Sequence, residues 1–315
     1  MIDVVINCYN DQKCLPDAVN SVLTQSAFHL INTIFIMDDG STDNTRELCK
    51  TFESEKICYL YQENQGLAAA RNFAQSHSKS QFIAFLDSDD IWHPDKLKIQ
   101  SQILLANSDI SLIYSNVFAF YDIWPAKKIE KFRAKKLHGT TELENYFLYD
   151  APIFPSTVIV KNKIYNELNG FDANMKKSED TEFFIRFMAH HNFIAHCDEY
   201  LVYRRLSQNS LGGDMENLLP YQFAIESKAI QQTPALKRLI SKRHAYMYFV
   251  SAKEKLIKFA DKKKARHFLL KSLRLNPKNG EAIGLYLFSY IPLVSNPKLA
   301  LKIKILYKNL SGKYT

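Results

Sequence analysis

The chain of 315 residues is poor in glycine, and two glycine-dependent nucleotide motifs are absent from it. Its 9 glycines form neither the Gly-x-Gly-x-x-Gly fingerprint of a dinucleotide-binding fold nor a Walker A phosphate loop. Proteins that hold phosphate with a glycine-rich loop are therefore excluded. A bound nucleotide would have to be held by side chains and a metal ion.

Paired cysteines, a leader sequence and long apolar runs are missing as well. The 5 cysteines show no metal-ligand spacing, and Cys8 and Cys58 lie in apolar runs, which suits reduced core thiols of a cytosolic protein. No basic segment precedes an apolar stretch at the N-terminus, so we expect no signal peptide. The uncharged stretch 282–297 is interrupted by Pro292 and is shorter than the ~20 residues of a membrane-spanning helix, which favours a buried or interfacial helix.

Acidic residues become scarce toward the C-terminus. Residues 236–315 carry 19 Lys and Arg against 3 Asp and Glu, a balance of +16, whereas residues 1–235 carry −8. This tail favours an anionic surface as a partner. Lysines alternate with leucine and isoleucine over 298–306, which is typical of a helix on a membrane surface, but a basic face packed on the catalytic domain fits equally well. Nucleic acid is not expected, because the tail lacks a recognised binding motif and the body is acidic.

Short apolar runs alternate with amphipathic segments in the first part of the chain. Such alternation predicts βαβ units, and hence an α/β fold with a mainly parallel sheet. The predicted strands are residues 3–8, 33–37, 57–61 and the run that ends at Asp87. Ligands bind such sheets beyond the carboxyl ends of the strands. Tyr9, Asp39 and Asp87 fall at those ends, so we expect them near one another.

The fourth predicted strand is followed at once by Asp87, Asp89 and Asp90. Carboxylates clustered where a buried strand ends repel one another and lose solvation. A hard divalent cation would relieve both effects, and carboxylate oxygens suit Mg²⁺ or Mn²⁺. The alternative is a solvated acidic turn, but the position at the end of a core strand favours a metal site.

Several short motifs in roughly the first 210 residues occur in the order that they have in one enzyme family. They lie at residues 4–10, 21–25, 37–43, 64–66, 70–72, 85–90, 170–172 and 178–180, with Arg186 beyond them. By these motifs the chain resembles a family 2 glycosyltransferase of the GT-A fold, of the bacterial surface-polysaccharide type. The resemblance implies a Rossmann-like nucleotide-binding sheet flanked by helices and an inverting transfer from a nucleotide sugar.

The resemblance also implies donor-side roles. Tyr9 resembles the residue that stacks on the base, Asp39 the carboxylate that accepts a hydrogen bond from the uracil imide, and Arg71 a cation of the diphosphate pocket. Asp89 resembles the carboxylate that reaches Mg²⁺ or Mn²⁺. The implied residues are Asn7, Tyr9, Asp39, Arg71, Asp87 and Ser88 for the nucleotide sugar, and Asp89 and Asp87 for the metal. Singly, Tyr9 could be core packing, Asp39 a turn-former and Arg71 a surface helix charge.

The catalytic pair implied by the resemblance is Glu179 and Asp180, with Asp180 as general base on the acceptor hydroxyl. Acidic residues in a first helical turn also complement the helix dipole, which alone would explain them. Two positions depart from the family: Thr181 replaces a common aromatic residue, and Leu206 a common histidine. The Gln-x-x-Arg-Trp motif of processive polymerases is absent, so we expect one sugar per visit.

These observations predict a catalytic domain over 1–215, with a nucleotide-binding half (1–110) and an acceptor-binding half (111–215). A basic helical region over 216–315 follows, with a tetratricopeptide-like hairpin near 264–277. The predicted function is transfer from a UDP-sugar to a saccharide or lipid-linked saccharide acceptor, in the cytoplasm and peripheral at the inner face of the membrane. The alternatives are an inactive scaffold that binds membranes or nucleic acid through its tail, and a nucleotidyltransferase.

Overall fold

A computed structural model describes residues 1–52, 54–121, 123–126, 129–133, 142–149, 153–190, 193–206, 215–257 and 260–290. The strands are β1 (Ile2–Cys8), β2 (Ile31–Asp38), β3 (Ile57–Tyr61), β4 (Phe82–Asp87), β5 (Ile91–Trp92), β6 (Leu112–Tyr121), β7 (Ile129–Phe132), β8 (Ile159–Lys161) and β9 (Ile194–Leu206). The helices are α1 (Leu15–Leu23), α2 (Thr45–Cys49), α3 (Leu67–Ser76), α4 (Lys96–Ala106), α5 (Glu142–Tyr149), α6 (Asn162–Glu167), α7 (Glu179–His190), α8 (Met215–Gln232), α9 (Ile240–Ile257), α10 (Lys262–Leu275) and α11 (Gly280–Phe288).

The strands form one mixed sheet in the order β3-β2-β1-β4-β8-β6-β9-β5, with β7 paired to β6. The long pairings are parallel: β1 lies between β2 and β4, β3 follows β2, and β6 runs beside β9. The short strands β5, β7 and β8 pair in the antiparallel sense. The predicted α/β class, with a mainly parallel sheet flanked by helices, is confirmed.

Strands β1, β2 and β4 are buried over most of their length, which explains their nearly continuous apolar sequence, whereas the edge strand β3 is only half-buried. Every residue of β1 is buried, and its Val4 and Ile6 belong to the main apolar core. In the sheet Asn7 pairs in register with Asp87, and Cys8 pairs with Asp38. The residues that follow β1, β2 and β4 therefore lie at one edge of the sheet.

The chain forms two compact units, and the second takes a segment from the middle of the sequence. Residues 144–149, most of α5, belong with residues 215–290. Arg243 on α9 is fully buried and donates hydrogen bonds to the carbonyl oxygen of Phe147 and to the side chains of Glu226 and Gln222. One buried arginine thus joins α5 to α8 and α9.

The predicted helical C-terminal region is present. Helices α9 and α10 pack against each other, and Ser272 Oγ on α10 donates to the carbonyl oxygen of Ala245 on α9 at 2.7 Å. The predicted domain boundaries stay predictions, and the helix predicted over 298–306 lies outside the described residues. Within the described part of the chain, no helix combines the length and apolar character needed to cross a membrane.

Candidate active site

The turn after β4 gives its carboxylates different surroundings. Asp90 is buried and accepts hydrogen bonds from Ser156 Oγ at 2.7 Å and from the backbone N–H of Arg205 at 3.1 Å. Burial, together with the charges of Asp89 and Asp87, raises the pKa of Asp90 well above its usual range. Asp90 therefore holds the turn against Ser156 and Arg205, which is a structural role.

Asp89 is half-buried and crowded by like charge. Burial, followed by the charges of Asp87 and Asp11, raises the pKa of Asp89 to about 6, while the guanidinium of Arg204 acts in the opposite direction. Loss of solvent and the presence of negative neighbours both disfavour the charged form of a carboxyl group. The position predicted for the metal is therefore one where positive charge is stabilising.

Arg71, on α3, joins the two halves of the predicted site. Its side chain is 1% exposed; Nη2 donates to Asp87 Oδ1 at 2.6 Å and Nη1 donates to Glu179 Oε1 at 2.8 Å. Burial disfavours the charged guanidinium, but the two carboxylates outweigh burial and raise the pKa of Arg71. The interpretation of Arg71 as a surface charge is wrong. Its contact with a diphosphate stays a prediction, because both terminal nitrogens bind carboxylates here.

The predicted catalytic pair forms the first turn of α7. Glu179 is buried against Arg71, whereas Asp180 is half-buried and accepts a hydrogen bond from the backbone N–H of Thr181 at 2.7 Å. Asp180 also contributes to the raised pKa of Arg71, which places it near the guanidinium. The preceding Ser178 has a φ of 59°, an uncommon conformation for a non-glycine residue. The structure thus brings Glu179 and Asp180 to the end of β4.

The loop before α7 closes over Arg71. The ring centre of Phe171 lies 5.0 Å from the guanidinium carbon. Asn72 donates from Nδ2 to the carbonyl oxygen of Phe171 at 2.7 Å and accepts from its N–H at 2.9 Å. Arg186, on α7, donates to the carbonyl oxygen of Gly170 at 2.9 Å. The motifs at 70–72 and 170–172 therefore form one packed contact that fixes the arginine.

The donor-side residues Tyr9, Asn7 and Ser88 lie near the ends of β1 and β4. Tyr9 is 50% exposed, so its interpretation as core packing is wrong, and an exposed ring suits stacking on a base. Asn7 is buried, and neither its Oδ1 nor its Nδ2 has a partner in the described residues. Ser88 Oγ donates to Asp11 Oδ2 at 2.6 Å. These positions agree with the expected edge of the sheet, and their contacts with a nucleotide sugar stay predictions.

Asp39 is buried and organises the loop before α3. Its Oδ1 accepts from Gln62 Nε2 at 2.6 Å and from the N–H of Gln65 at 3.0 Å, and its Oδ2 accepts from the N–H of Gly66 at 2.8 Å. A carboxylate offers about four acceptor positions, so roughly one remains. Asp39 is therefore a turn-former, as one interpretation held, and its bond to a uracil imide stays a prediction.

Two charged residues of the site, Asp11 and Arg204, were not predicted from the sequence. Asp11 follows Tyr9 by two positions, and its place just beyond β1 could have indicated it. Arg204, on β9, is half-buried with its guanidinium 4.1 Å from the ring centre of Phe154, and its charge acts on Asp89. No local pattern distinguishes Arg204 as a residue of the site, since a strand far along the chain brings it there.

Asp87 and Asp89 fit a divalent cation that binds together with the nucleotide. Both offer the carboxylate oxygens that Mg²⁺ and Mn²⁺ prefer. Among the described residues, no group of three or more His, Cys, Asp or Glu side chains is arranged to hold a metal ion. One or two carboxylates completed by substrate phosphates are the usual ligands of Mg²⁺ in nucleotide enzymes. The donor set present therefore fits the ion that the resemblance implies.

The mixed sheet, with one acidic pair at the end of β4 and another on α7, has the arrangement that the resemblance to glycosyltransferases of the GT-A fold implies. The chain belongs to glycosyl transferase family 2, whose family model matches residues 3–168.

Curated relatives agree with this assignment. An uncharacterised glycosyltransferase of Rickettsia typhi is 26% identical, with 60% of this chain and 58% of that protein covered. An uncharacterised glycosyltransferase of Rickettsia conorii is 32% identical, with 71% and 35% covered. The chain therefore spans about a third to three-fifths of the length of these relatives. The Escherichia coli enzyme WfgD, a UDP-Glc:α-D-GlcNAc-diphosphoundecaprenol β-1,3-glucosyltransferase, is 30% identical, with 71% and 85% covered.

Solved structures show the same fold. TarS 1-349 of S. aureus superposes with a TM-score of 0.61 at 15% identity, with 92% of this chain and 88% of that chain covered. The complex of TarS 1-349 with UDP-GlcNAc gives a TM-score of 0.54 at 16% identity, with 91% and 79% covered. At these identities the likeness establishes the fold.

Proposed function

We propose that the chain transfers a single sugar from a UDP-sugar to a saccharide or lipid-linked saccharide acceptor of surface polysaccharide synthesis, with inversion and with Mg²⁺ or Mn²⁺. The observation that carries the proposal is the bridge of Arg71 between Asp87 and Glu179, which joins a donor-side carboxylate to the predicted catalytic helix. WfgD, by its name, uses UDP-Glc and a diphosphoundecaprenol-linked acceptor, and TarS binds UDP-GlcNAc. Both support a UDP-sugar donor.

Inverting transfer is a single displacement, so it needs a base beside the acceptor hydroxyl on the side opposite the leaving UDP. Asp180 accepts that proton, because Glu179 is buried and bound to Arg71. Asp87 and Asp89 would hold the divalent ion, which would offset the negative charge of the diphosphate.

The donor's base binds at the ends of β1 and β2. The exposed ring of Tyr9 stacks on the uracil, and the remaining acceptor position of Asp39 receives the imide N–H. Gln65 and Gly66 hold the Asp39 carboxylate in place before the nucleotide arrives. A pre-set acceptor favours uracil over a base without a donor at that position.

The test is calorimetry of UDP-GlcNAc binding with and without Mn²⁺ or Mg²⁺, in the parent chain and in Asp89→Asn. We expect metal-dependent binding in the parent and a loss of roughly tenfold or more in Asp89→Asn, since a bond to a charged group contributes about 1.5–3 kcal/mol. The control Asp109→Asn changes an exposed carboxylate outside the site and should bind like the parent. Equal affinity of Asp89→Asn and the parent would remove the metal assignment.

Product analysis tests the reaction class. Incubation with a UDP-sugar and an acceptor should release UDP and give a glycoside of inverted anomeric configuration, read by NMR. A product formed from a nucleoside triphosphate and a sugar phosphate, with release of diphosphate, would make the chain a nucleotidyltransferase instead.

A further inference from the structure

The exposed faces of α10 and α11 differ in chemical character. On α10, Lys263, Leu270 and Arg274 are exposed at helical spacing, and the exposed large apolar residues of α11 and of the turn after it are Ile283, Leu287 and Tyr290. We name these six residues the α10–α11 surface. Leu287 is 63% exposed and Tyr290 58%, whereas Leu270 and Ile283 are each 41% exposed.

The two exposed stripes lie side by side. Arg266 Nη1, on α10, donates to the carbonyl oxygen of Ser289 at 3.4 Å, and its guanidinium lies 4.7 Å from the ring centre of Tyr290. Lys263 and Leu270 flank Arg266 at helical spacings of three and four residues, so they share its side of α10. A cationic stripe and an apolar stripe therefore form one continuous surface.

Helix α11 is apolar around most of its circumference. Its inner face buries Ala282 and Leu285, and its outer face exposes Ile283, Leu287 and, just past its end, Tyr290. A surface helix of a soluble domain normally presents polar residues to water, so an outer face of this kind indicates a surface that is covered by something else.

The charge around this stripe is almost wholly positive. Residues 262–290 contain 7 Lys and Arg and one acidic residue, Glu281. Lys264 is neutralised by Glu216 at 2.9 Å. In the described part of the chain, the exposed Lys263, Arg274 and Lys278 have no ion-pair partner. A partner that covers the α10–α11 surface must therefore supply negative charge for these unpaired lysine and arginine side chains.

Charge decides between the candidate partners. A second copy of the chain would bring the same positive face and would meet like-charge repulsion. The phosphates of a nucleic acid would pair with the lysines and arginines. A nucleic acid offers no apolar environment for Ile283 and Leu287, however. An anionic bilayer offers negative headgroups and, a few ångströms deeper, acyl chains.

We propose that the α10–α11 surface docks on an anionic lipid bilayer, with Ile283, Leu287 and Tyr290 in the headgroup–acyl boundary and Lys263 and Arg274 at the headgroups. The helices lie on the membrane and do not span it. This inference goes beyond the proposed sugar transfer, and it stands on the surface chemistry of the second unit alone.

The test is co-sedimentation of the full-length chain with phosphatidylglycerol-containing vesicles and with phosphatidylcholine vesicles, at low and high salt. We expect binding to the anionic vesicles at low salt, weaker binding at high salt, and little binding to the neutral ones. Ile283→Ser/Leu287→Ser should weaken binding by roughly tenfold or more, through the lost apolar insertion. The matched control Leu105→Ser, which removes an 81% exposed leucine on α4, should bind like the parent.

A second pair of variants tests the charge. Lys263→Glu/Arg274→Glu should weaken binding by roughly fivefold or more for each substitution. Lys163→Glu removes a lysine whose side chain is 84% exposed in the other unit, and should leave binding unchanged. Binding of UDP-GlcNAc by each variant shows that the fold is intact. A chain that binds vesicles and no nucleotide sugar would overturn the proposed function and leave the docking surface standing.

Three results would overturn the docking surface. The first is that the full-length chain stays in the supernatant at low salt, and the second is that both double variants sediment like the parent. The third is evidence for a different partner. Either light scattering without lipid shows self-association that Ile283→Ser/Leu287→Ser abolishes, or duplex DNA binds the chain with an affinity that these apolar substitutions do not alter. Those outcomes assign the surface to a second copy or to nucleic acid.

Discussion

Glu179 and Asp180 are neighbours in sequence, but their surroundings predict different effects of substitution. Asp180→Asn removes the proposed base, so turnover should fall by roughly 10²–10⁴ while donor affinity stays near that of the parent. Glu179→Gln instead removes one of the two carboxylates that bind the buried Arg71 and should lower the free energy of unfolding by about 1.5–3 kcal/mol, because Asp87 still compensates the guanidinium.

Single-turnover kinetics and thermal melting separate these two effects. Asp180→Asn should melt within a few degrees of the parent, and Glu179→Gln should melt well below it. If Glu179→Gln folds like the parent but loses turnover as Asp180→Asn was expected to do, the base is Glu179 and the assignment is reversed.

Lys96, at the start of α4, is a buried cation outside the site. It is fully buried, its Nζ has no partner among the described residues, and it lies 4.1 Å from the ring centre of Trp92. Burial lowers the pKa of Lys96 to about 7. The unfolded chain keeps this proton up to a pH of about 10.4. Between those two values the unfolded state binds more protons, so the contribution of Lys96 to the free energy of unfolding rises with pH.

Lys96→Met should therefore stabilise the protein most at or below neutral pH. The expected gain is about 2–4 kcal/mol at pH 7, because one unit of pKa displacement corresponds to 1.36 kcal/mol, and it should shrink toward pH 10. Urea unfolding at several pH values measures it. Lys98→Met changes an exposed lysine of the same helix and serves as the control. A gain that is equal at pH 6 and pH 10 would mean that the folded protein keeps the Lys96 proton as the unfolded chain does, and that burial does not lower the pKa of Lys96.

At the scale of the elements, the turn before α7 depends on a glycine. Gly170 has a φ of +62°, and a Cβ there would lie 2.3 Å from Asn72 Oδ1 and 2.8 Å from a ring carbon of Tyr165. Asn72 cannot swing away cheaply, because its Oδ1 also accepts from Tyr165 Oη at 2.6 Å. Gly170→Ala should thus displace Phe171 from Arg71 and lower the free energy of unfolding by roughly 2–4 kcal/mol.

Gly66 is the matched control for this substitution. It has φ +93° and ψ 162°, a conformation that is essentially restricted to glycine, with no atom within 4 Å of an added Cβ, so Gly66→Ala should cost only the backbone strain, about 1–3 kcal/mol. Urea unfolding of the two variants gives the comparison. Equal losses in both would show that backbone conformation, and not the contact with Asn72 and Tyr165, decides the effect.

The sequence predicts the parallel half of the sheet well, for a physical reason. Strands β1 and β4 lie inside the sheet and are continuous apolar runs, and the edge strand β3 is apolar enough for the sequence to predict its observed bounds, 57–61. The antiparallel strands β5, β7 and β8 have two to four residues, too few for a periodicity to show. No expectation was therefore set for β5 and β7.

The sequence predicts where the site lies in the fold, but it does not predict the contacts among the residues of the site. The carboxyl ends of parallel strands meet at one edge whatever the side chains are, which located Asp39 and Asp87. The bond between Arg71 and Glu179 spans 108 residues, and no local pattern encodes a contact at that separation. The same holds for Lys96, whose burial depends on packing that helical periodicity does not report.

At the scale of the whole molecule, the second unit depends on α5. Tyr146, Phe147 and Leu148 are almost wholly buried there. A chain that ends after residue 213 loses the helices that cover them, so it should bind a hydrophobic dye such as ANS and aggregate on concentration. Replacing these three residues with serine in the shortened chain should reverse both effects. If the shortened chain stays monomeric without dye binding, α5 does not need its C-terminal partners.

The split origin of the second unit has a consequence for synthesis on the ribosome. Helix α5 ends at Tyr149, and the next part of its unit begins at Met215, about 65 residues later. At roughly 5–20 residues per second, that interval lasts about 3–13 s. During this time the nascent chain carries an apolar helix whose partners have not been translated. We therefore expect slower translation of residues 150–215 to prolong the exposure of this helix and to increase the need for chaperones that bind apolar segments.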